Sequence, residues 1–211
     1  MILADIGNGR VHLLLPDGRV VHTDISEALS LYGDVETYYI SVRRGVEERL
    51  AKHPMWRDIS SLFTLPGSYE GMGADRKAIC LSRGDGIYVD AGSAVTVDIV
   101  RDGRYGGGFI YPGIEAMKRA YASISPALDL DMESEPLCDT PPYGTKKQIS
   151  YGIIAPLVSR LKDMEEYGTA YYFCGGDGEF LASCIDGAVF CETLVFEGMR
   201  RVVRDSGEKE K

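Results

Sequence analysis

With 211 residues, the chain has room for one compact domain or two small lobes. Apolar residues make up 45% of it and charged residues 26%, an ordinary globular balance that excludes wholesale disorder. The net charge of −9 argues against a nucleic acid or an anionic membrane surface as a partner. No uncharged stretch approaches the roughly 20 residues of a membrane helix, so we expect neither a nucleic-acid nor a membrane partner.

The cysteines and histidines give no sign of a disulfide framework or a zinc site. The number of cysteines is odd, and no C-x-x-C motif or cysteine–histidine pairing occurs, so we expect reduced thiols and a cytoplasmic location. The N-terminus has no basic region before an apolar core, so we do not expect a signal peptide. A Ser-His-Asp triad or a histidine–metal site has little support. The residues concerned are Cys80, Cys138, Cys174, Cys184 and Cys191, with His12, His22 and His53.

The first 22 residues predict an antiparallel meander of three short strands. Apolar segments at residues 2–4, 11–15 and 20–22 are separated by the turn signals Gly7-Asn8-Gly9 and Pro16-Asp17-Gly18. Asp24 or Ser26 can then cap a helix near residues 27–31. The further elements that we expect are a strand at 38–42, a charged helix from 46 to about 53, a strand at 59–65, a loop at 67–73 and a helix at 74–82.

Residues 86–110 repeat the opening segment at an offset of 85 residues. Asp90-Ala91-Gly92 aligns with Asp5-Ile6-Gly7, and without a gap Asp102-Gly103-Arg104 aligns with Asp17-Gly18-Arg19. Chance is the alternative, because Asp and Gly are common turn residues, but two turns in one register favour a duplicated meander. We therefore predict two lobes, residues 1–84 and 85–211.

The rest of the chain continues the second lobe. Proline and glycine at Pro112-Gly113 favour a helix start. We expect helices at 114–123, 147–167, 179–184 and 193–203, a loop at 129–143, a strand at 170–174 and a frayed charged tail at 205–211.

The two D-x-G turns are candidates for nucleotide binding. Glycines let backbone amides approach phosphates closely, and a carboxylate can hold the hard divalent cation that accompanies them. Asp5 with Gly7-Asn8-Gly9 and Asp90 with Gly92-Ser93 each supply such a turn. A third glycine pair, Gly175-Gly176, offers a surface without side chains for an adenosine.

A second glycine-rich segment, Gly71-Met72-Gly73, precedes a helix whose first turn carries Asp75 and Arg76. An aspartate in a first turn is also a common structural feature, favoured by the helix dipole. In the functional interpretation, Asp75 accepts a proton from an alcohol and Arg76 steadies an anionic group of the substrate. Phosphoryl transfer needs little more than such positioning and cations on the phosphates.

Four motifs together resemble the type III pantothenate kinases, members of the actin/hexokinase-like ATPase superfamily. They are Asp5-Ile6-Gly7-Asn8-Gly9, Gly73-Ala74-Asp75-Arg76, Asp90-Ala91-Gly92-Ser93-Ala94-Val95-Thr96 and Gly107-Gly108-Phe109-Ile110-Tyr111-Pro112-Gly113. The order and spacing agree over nearly the whole chain. The chain departs from the family pattern in being shorter, in Gly9 for a usual Thr or Ser, and in Ser93 for Thr.

The resemblance implies an α/β fold of two ribonuclease-H-like, actin/hexokinase-type lobes, with ATP bound between them. It implies ATP-dependent phosphorylation of pantothenate to 4′-phosphopantothenate, the first step of coenzyme A synthesis, in a homodimer. The implied catalytic base is Asp75, and the implied pantothenate site comprises Tyr69, Gly73, Ala74, Asp75, Arg76 and Thr145.

The same resemblance assigns the nucleotide and cation sites. ATP would be held by Asp5, Ile6, Gly7, Asn8, Gly9, Arg10, Val11, His12 and Ser93. Asp5 would lie on the Mg²⁺ side, directly or through water, and Asp90 would bind a monovalent cation, K⁺ or NH₄⁺. Two alternatives stay open: a non-catalytic accessory regulator of the same fold family, and a kinase, including a sugar kinase, or a phosphatase acting on another small molecule.

Overall fold

The computed structural model describes residues 1–43, 45–135, 137, 140–167 and 170–207. Contacts within it form two compact units. The first unit comprises Met1–Gly84, Gly103–Tyr105 and the residues from Thr193 onward, and the second comprises Asp85–Asp102 and Gly106–Glu192. The sequence placed all of residues 85–211 in one lobe, whereas here the C-terminal helix groups with the first unit.

The first unit is built on a five-stranded mixed sheet. Its strands are β1 (Ile2–Ile6), β2 (Val11–Leu14), β3 (Val20–Thr23), β4 (Thr37–Ser41) and β5 (Trp56–Asp58), in the order β3-β2-β1-β4-β5. Strands β1, β2 and β3 pair antiparallel, which is the predicted meander, and β4 and β5 continue the sheet in parallel. The buried apolar core combines residues of β1 and β2 with residues from other segments, among them Ile25 and Trp56.

Four helices accompany this sheet: α1 (Ile25–Tyr32), α2 (Glu47–Leu50), α3 (Ala74–Leu81) and α7 (Leu194–Asp205). Asp24 is the cap of α1, because its side chain accepts hydrogen bonds from the backbone N–H groups of Ser26 and Glu27 at 2.7 and 3.0 Å. The buried residues of α7 include Leu194, Phe196 and Met199, and this apolar side packs on α3. That packing is the reason why the C-terminal helix belongs to the first unit.

One predicted strand is wrong. Residues 59–65 form no strand; the strand is β5, followed by one turn of 3₁₀ helix at Ser60–Leu62. Trp56 decides the register, because its side chain is buried and its indole N–H donates to the carbonyl of Tyr32 at 3.0 Å, while its backbone lies opposite Thr37. Ile59, Phe63 and Leu65 are buried beyond the end of β5, and the backbone N–H of Ile59 still donates to the carbonyl of Tyr39 at 2.9 Å.

The second unit repeats the same sheet topology. Its strands are β6 (Gly86–Ala91), β7 (Ala94–Arg101), β8 (Arg104–Pro112), β9 (Tyr171–Cys174) and β10 (Val189–Phe190), in the order β8-β7-β6-β9-β10. Strand β6 is central, with antiparallel β7 on one side and parallel β9 on the other, as β1 is in the first unit. The short edge strand β10 has no counterpart in the prediction, since two exposed residues give no periodicity.

The helices of the second unit are α4 (Ile114–Ile124), α5 (Thr145–Lys162) and α6 (Gly178–Ala182). Helix α5 begins two residues before the predicted start and ends at Lys162, after which Glu165–Tyr167 form a 3₁₀ turn. Cys138 and the last four residues of the predicted tail, 208–211, lie outside the described residues. Within the described ranges, none of the helices has the length and apolar character needed to span a membrane.

Candidate functional site

The turn between β1 and β2 places the first candidate phosphate loop in the first unit. Asp5 is half-buried near the end of β1, and the loop is closed by the N–H of Gly7, which donates to the carbonyl of Arg10 at 3.0 Å. Asn8, Gly9 and Arg10 are exposed. A Cβ added at Gly9 would meet nothing within 4 Å, so the loop has open space where the family pattern has a larger residue.

Three polar side chains align across the strands beside this loop. Asp5 lies opposite His12 in the β1–β2 register, and His12 lies opposite His22 in the β2–β3 register. Residues at opposed positions share one face of the sheet. The Nδ1 atoms of the two imidazoles are 2.6 Å apart, so one ring donates a hydrogen bond to the other.

The matching turn between β6 and β7 carries Asp90 and Ser93 in the second unit. It is one residue shorter than the first, because the N–H of Gly92 donates to the carbonyl of Ala94 at 3.0 Å. Ser93 is exposed, and its carbonyl accepts a hydrogen bond from the N–H of Gly113 at 3.2 Å. A Cβ at Gly113 would overlap the carbonyl of Gly92, so this glycine lets the loop pack against the start of α4.

The structure brings Asp90 and the Gly175-Gly176 turn together at the ends of two neighbouring strands. Asp90 lies opposite Cys174 in the β6–β9 register, and Gly175 follows with a φ of +84°. A Cβ at Gly175 would lie 2.6 Å from Oδ1 of Asp90 and 2.5 Å from the carbonyl of Ala91. The open space beside the Asp90 carboxylate therefore exists only because residue 175 has no side chain.

Asp177 adds a second acidic group just after this turn. Burial raises the pKa of its carboxyl above the usual value, and the negative charge of Glu115 raises it further, while Lys118 lowers it. The backbone N–H of Asp177 donates to the carbonyl of Ala91 at 3.0 Å, which ties the turn to the end of β6.

Thr145 is the predicted substrate contact that lies in the second unit. It is exposed at the first position of α5.

Asp75 and Arg76 occupy the first turn of α3 in the first unit, behind Gly73. Oδ1 of Asp75 accepts a hydrogen bond from the backbone N–H of Arg76 at 2.7 Å, which orients the carboxylate. A Cβ at Gly73 would collide with that same oxygen. Position 73 therefore has to be glycine for the Asp75 carboxylate to lie where it does.

Arg76 is only 8% exposed, and aromatic hydroxyls surround its guanidinium. Nη1 donates to the hydroxyl of Tyr69 at 2.7 Å, and Cζ lies 5.9 Å from the centre of the Tyr69 ring. Nη2 donates to the hydroxyl of Tyr105 at 3.3 Å. Tyr69 is among the predicted substrate contacts, whereas Tyr105 lies outside the four motifs and 29 residues from Arg76, so no local pattern indicates it.

Comparison of the chain with known proteins gives a family and several relatives of known fold. The family model for type III pantothenate kinase matches residues 35–166. The chain belongs to the type III pantothenate kinase family. Curated members include proteins of Campylobacter jejuni, 34% identical over 98% of both chains, and Helicobacter hepaticus, 36% identical over 96% of this chain and 98% of that one.

Solved structures confirm the fold. A Campylobacter jejuni protein described as a Baf family transcriptional activator has a TM-score of 0.89 and 32% identity, covering 99% of this chain and 100% of that one. A 2-dehydro-3-deoxygalactonokinase-like protein of Sinorhizobium meliloti has a TM-score of 0.57 and 11% identity, covering 97% and 98%, and shares the fold alone. The predicted α/β fold with two ribonuclease-H-like, actin/hexokinase-type sheets is confirmed.

As a member of the type III pantothenate kinase family, the chain is an enzyme that transfers a phosphoryl group to the alcohol of pantothenate in coenzyme A biosynthesis. The predicted family and reaction class are confirmed. The activator description of one structural relative would suit the alternative of a non-catalytic regulator, but the family model and the curated relatives carry the kinase name and do not favour it. Kinases of this kind use ATP with a divalent metal ion.

Proposed function

We propose that this kinase transfers the γ-phosphoryl group of ATP to the terminal hydroxyl of pantothenate, with Asp75 as the catalytic base and Arg76 as the partner of the pantothenate carboxylate. The observation that carries this assignment is the pairing of an oriented carboxylate with a nearly buried guanidinium in one helical turn. These two groups match the two ends that a hydroxy acid presents to an enzyme.

Asp75 would accept the proton of the attacking hydroxyl. The Arg76 N–H fixes one carboxylate oxygen, and Gly73 leaves the space that the carboxylate occupies. In phosphoryl transfer the base chiefly orients its nucleophile, so an aspartate of ordinary acidity is adequate. Positioning of this kind lowers the barrier because the reacting groups need not search for their geometry.

Arg76 would bind the pantothenate carboxylate. A guanidinium presents a planar fork of N–H donors that matches a carboxylate, and burial strengthens the attraction by excluding water. Tyr69, Gly73, Ala74 and Thr145 would complete the substrate site. Tyr69 supports this role because it is 49% exposed although its hydroxyl contacts the buried Arg76.

The two glycine turns would hold ATP, with residues 5–12 and Ser93 at its phosphates. Mg²⁺ needs few protein ligands when phosphates and water complete its shell. Among the described residues no group of three or more metal-binding side chains occurs, and the single carboxylate of Asp5 suits that requirement. The cation, when bound, would neutralise the charge that develops on the phosphates.

Asp90 would hold the monovalent cation, K⁺ or NH₄⁺. Its carboxylate lies at the end of β6 beside the space that Gly175 leaves open, and carbonyl oxygens of the kind a large monovalent ion prefers line the same turn.

We also propose a homodimer in the cytoplasm. The dimer rests on the family alone, and the odd number of cysteines without a C-x-x-C motif supports a reducing compartment.

The test is release of ADP with and without pantothenate, for the wild type and for Asp75→Asn. The wild type should show pantothenate-stimulated turnover, and loss of the base should lower kcat by about 10²- to 10⁴-fold. Asp34→Asn, which changes an exposed carboxylate of the same unit, should keep full activity. Circular dichroism should show both variants folded.

Two results would contradict the proposal. Near-wild-type turnover of Asp75→Asn would exclude Asp75 as the base. Absence of any pantothenate-stimulated ADP release by the wild type would favour a regulator, and a panel of other small alcohols, sugars included, would then separate that outcome from a kinase of different specificity.

A further inference from the structure

Tyr105 is a partner of Arg76 that none of the motifs contains. Its hydroxyl accepts a hydrogen bond from Nη2 at 3.3 Å, while the hydroxyl of Tyr69 accepts one from Nη1 at 2.7 Å. The two phenol rings are tilted against each other, with centroids 6.1 Å apart. The guanidinium is therefore held at both of its terminal nitrogens by aromatic hydroxyls.

Contacts at two nitrogens fix more than the position of the charge. A guanidinium is planar, so holding Nη1 and Nη2 separately fixes the rotation of the plane as well. Carboxylate recognition by arginine depends on that plane, because the strong geometry has two parallel N–H···O bonds. The contact from Tyr105 therefore adds a constraint on the plane to the contact from Tyr69.

Tyr105 is itself anchored through its main chain. Its backbone N–H donates to the carbonyl of Pro66 at 2.8 Å. Gly67 follows with a φ of +82°, and a Cβ there would lie 2.8 Å from the carbonyl oxygen of Tyr105. The glycine thus allows the segment before Tyr69 to lie directly against Tyr105, so the two phenols come from two backbone segments that are hydrogen-bonded to each other.

We propose that Tyr105 is a positioning residue that makes the enzyme select a carboxylate-bearing substrate, acting through the plane of the Arg76 guanidinium. This inference rests on the proposed function, in which Arg76 binds the pantothenate carboxylate. Tyr105 need not touch the reacting hydroxyl or the phosphates. Its removal therefore weakens substrate binding and leaves the chemical step intact.

The test compares Tyr105→Phe with the wild type on two substrates, pantothenate and its primary amide, in which the carboxylate is replaced by a neutral group. Loss of the hydroxyl should raise KM for pantothenate about tenfold, the usual order for a hydrogen bond to a charged group. The value of kcat should stay within about twofold. KM for the amide should be unchanged.

A double-mutant cycle tests whether Tyr105 acts through Arg76. In an Arg76→Gln background, Tyr105→Phe should have no further effect on KM, because the group through which it acts is gone. Tyr111→Phe is the matched control: it removes a hydroxyl on the same strand, β8, that donates to the carbonyl of Ile153 at 3.3 Å. It should leave both KM values unchanged.

Each outcome decides one of the two proposals. If the wild type does not phosphorylate pantothenate, the proposed function fails. If the wild type is active and Tyr105→Phe leaves KM for pantothenate unchanged, or raises KM equally for acid and amide, the proposed function stands and the role of Tyr105 is overturned.

Discussion

Gly73, Gly113 and Gly175 each occupy a position where a Cβ would strike a group of the candidate sites. The group is the Asp75 carboxylate at Gly73, a carbonyl of the second phosphate loop at Gly113, and the Asp90 carboxylate at Gly175. Only Gly175 among the three combines this with a positive φ, which L side chains rarely adopt. The presence of 25 glycines in 211 residues is thus explained partly by carboxylates that need room beside the backbone.

Alanine substitutions at the neighbouring glycines Gly175 and Gly176 test the proposed cation site at Asp90. Gly175→Ala should displace the Asp90 carboxylate, and we expect it to raise the K⁺ concentration for half-maximal activity about tenfold or more, because the proposed cation ligand would move. Gly176→Ala should change little, since nothing lies within 4 Å of its Cβ position. The measurement is ADP release against K⁺ at constant ionic strength, with sodium as the replacement ion.

Two outcomes would count against this assignment of Asp90. One is full activity of the wild type in sodium alone. The other is an unchanged K⁺ requirement in a Gly175→Ala protein whose thermal unfolding shows that it is folded.

At the scale of elements, helix α3 owes its placement to α7. A Cβ at Gly198 would overlap the backbone carbonyl of Ala78. The backbones of the two helices therefore lie too close together for any side chain at position 198. Arg83 and Glu197 form a two-pronged ion pair at 2.9 and 3.0 Å, and Arg201 donates to the carbonyl of Leu81 at 3.0 Å. The last helix of the chain thus holds the helix that carries Asp75 and Arg76.

Gly198→Ala should separate the two helices. The clash is with backbone, which cannot turn away as a side chain can, so we expect a loss of about 2–3 kcal/mol in the free energy of unfolding. We also expect lower kcat per folded molecule, because α3 shifts with the proposed base. Urea unfolding and ADP release measure the two effects.

Gly152→Ala in α5 is the matched control for Gly198→Ala. Its Cβ would meet the end of a side chain, the Tyr121 hydroxyl, at 3.1 Å. The higher helix propensity of alanine, about 1 kcal/mol, offsets that contact. Equal unfolding curves for the two variants would contradict the close-packing argument.

At the scale of the whole molecule, the two units have the same sheet topology. They differ in how they are assembled from the chain, because each combines separate segments of it. Each sheet begins with an antiparallel hairpin, as the predicted duplication of the meander requires. Each sheet also adds two parallel strands, which the sequence did not predict. The first unit also requires the residues from Thr193 onward. We therefore expect its fold to depend on α7.

Removal of residues 193–211 should unfold the first unit selectively. Leu194, Val195, Phe196, Met199 and Val203 are buried on α7, and their burial stabilises by on the order of 10 kcal/mol, which equals the stability of a typical domain. Hydrogen exchange should show lost protection in β1 and β4 and retained protection in β6 and β9. A chain ending at Gly207, which keeps α7 whole, is the control; equal protection of both units in the truncated chain would contradict the prediction.

The sequence by itself determined the family, the reaction class and the two hairpins. Those features depend on local chemistry: aspartate and glycine favour turns between short strands, and positive φ at Asp102 and Gly103 matches the two-residue turn that Asp-Gly predicts. The Asp75-Arg76 pair is likewise a local feature of one helical turn. Their roles in catalysis and binding stay predictions.

Only the tertiary structure decided the position of β5, the unit to which α7 belongs, the approach of Gly175 to Asp90 and the contact between Tyr105 and Arg76. Each depends on residues far apart in sequence that meet because apolar faces are buried together. The periodicity of a segment says which face is apolar, and not which other segment will cover it. For the same reason a tyrosine 29 residues from its arginine leaves no local pattern from which the contact could be predicted.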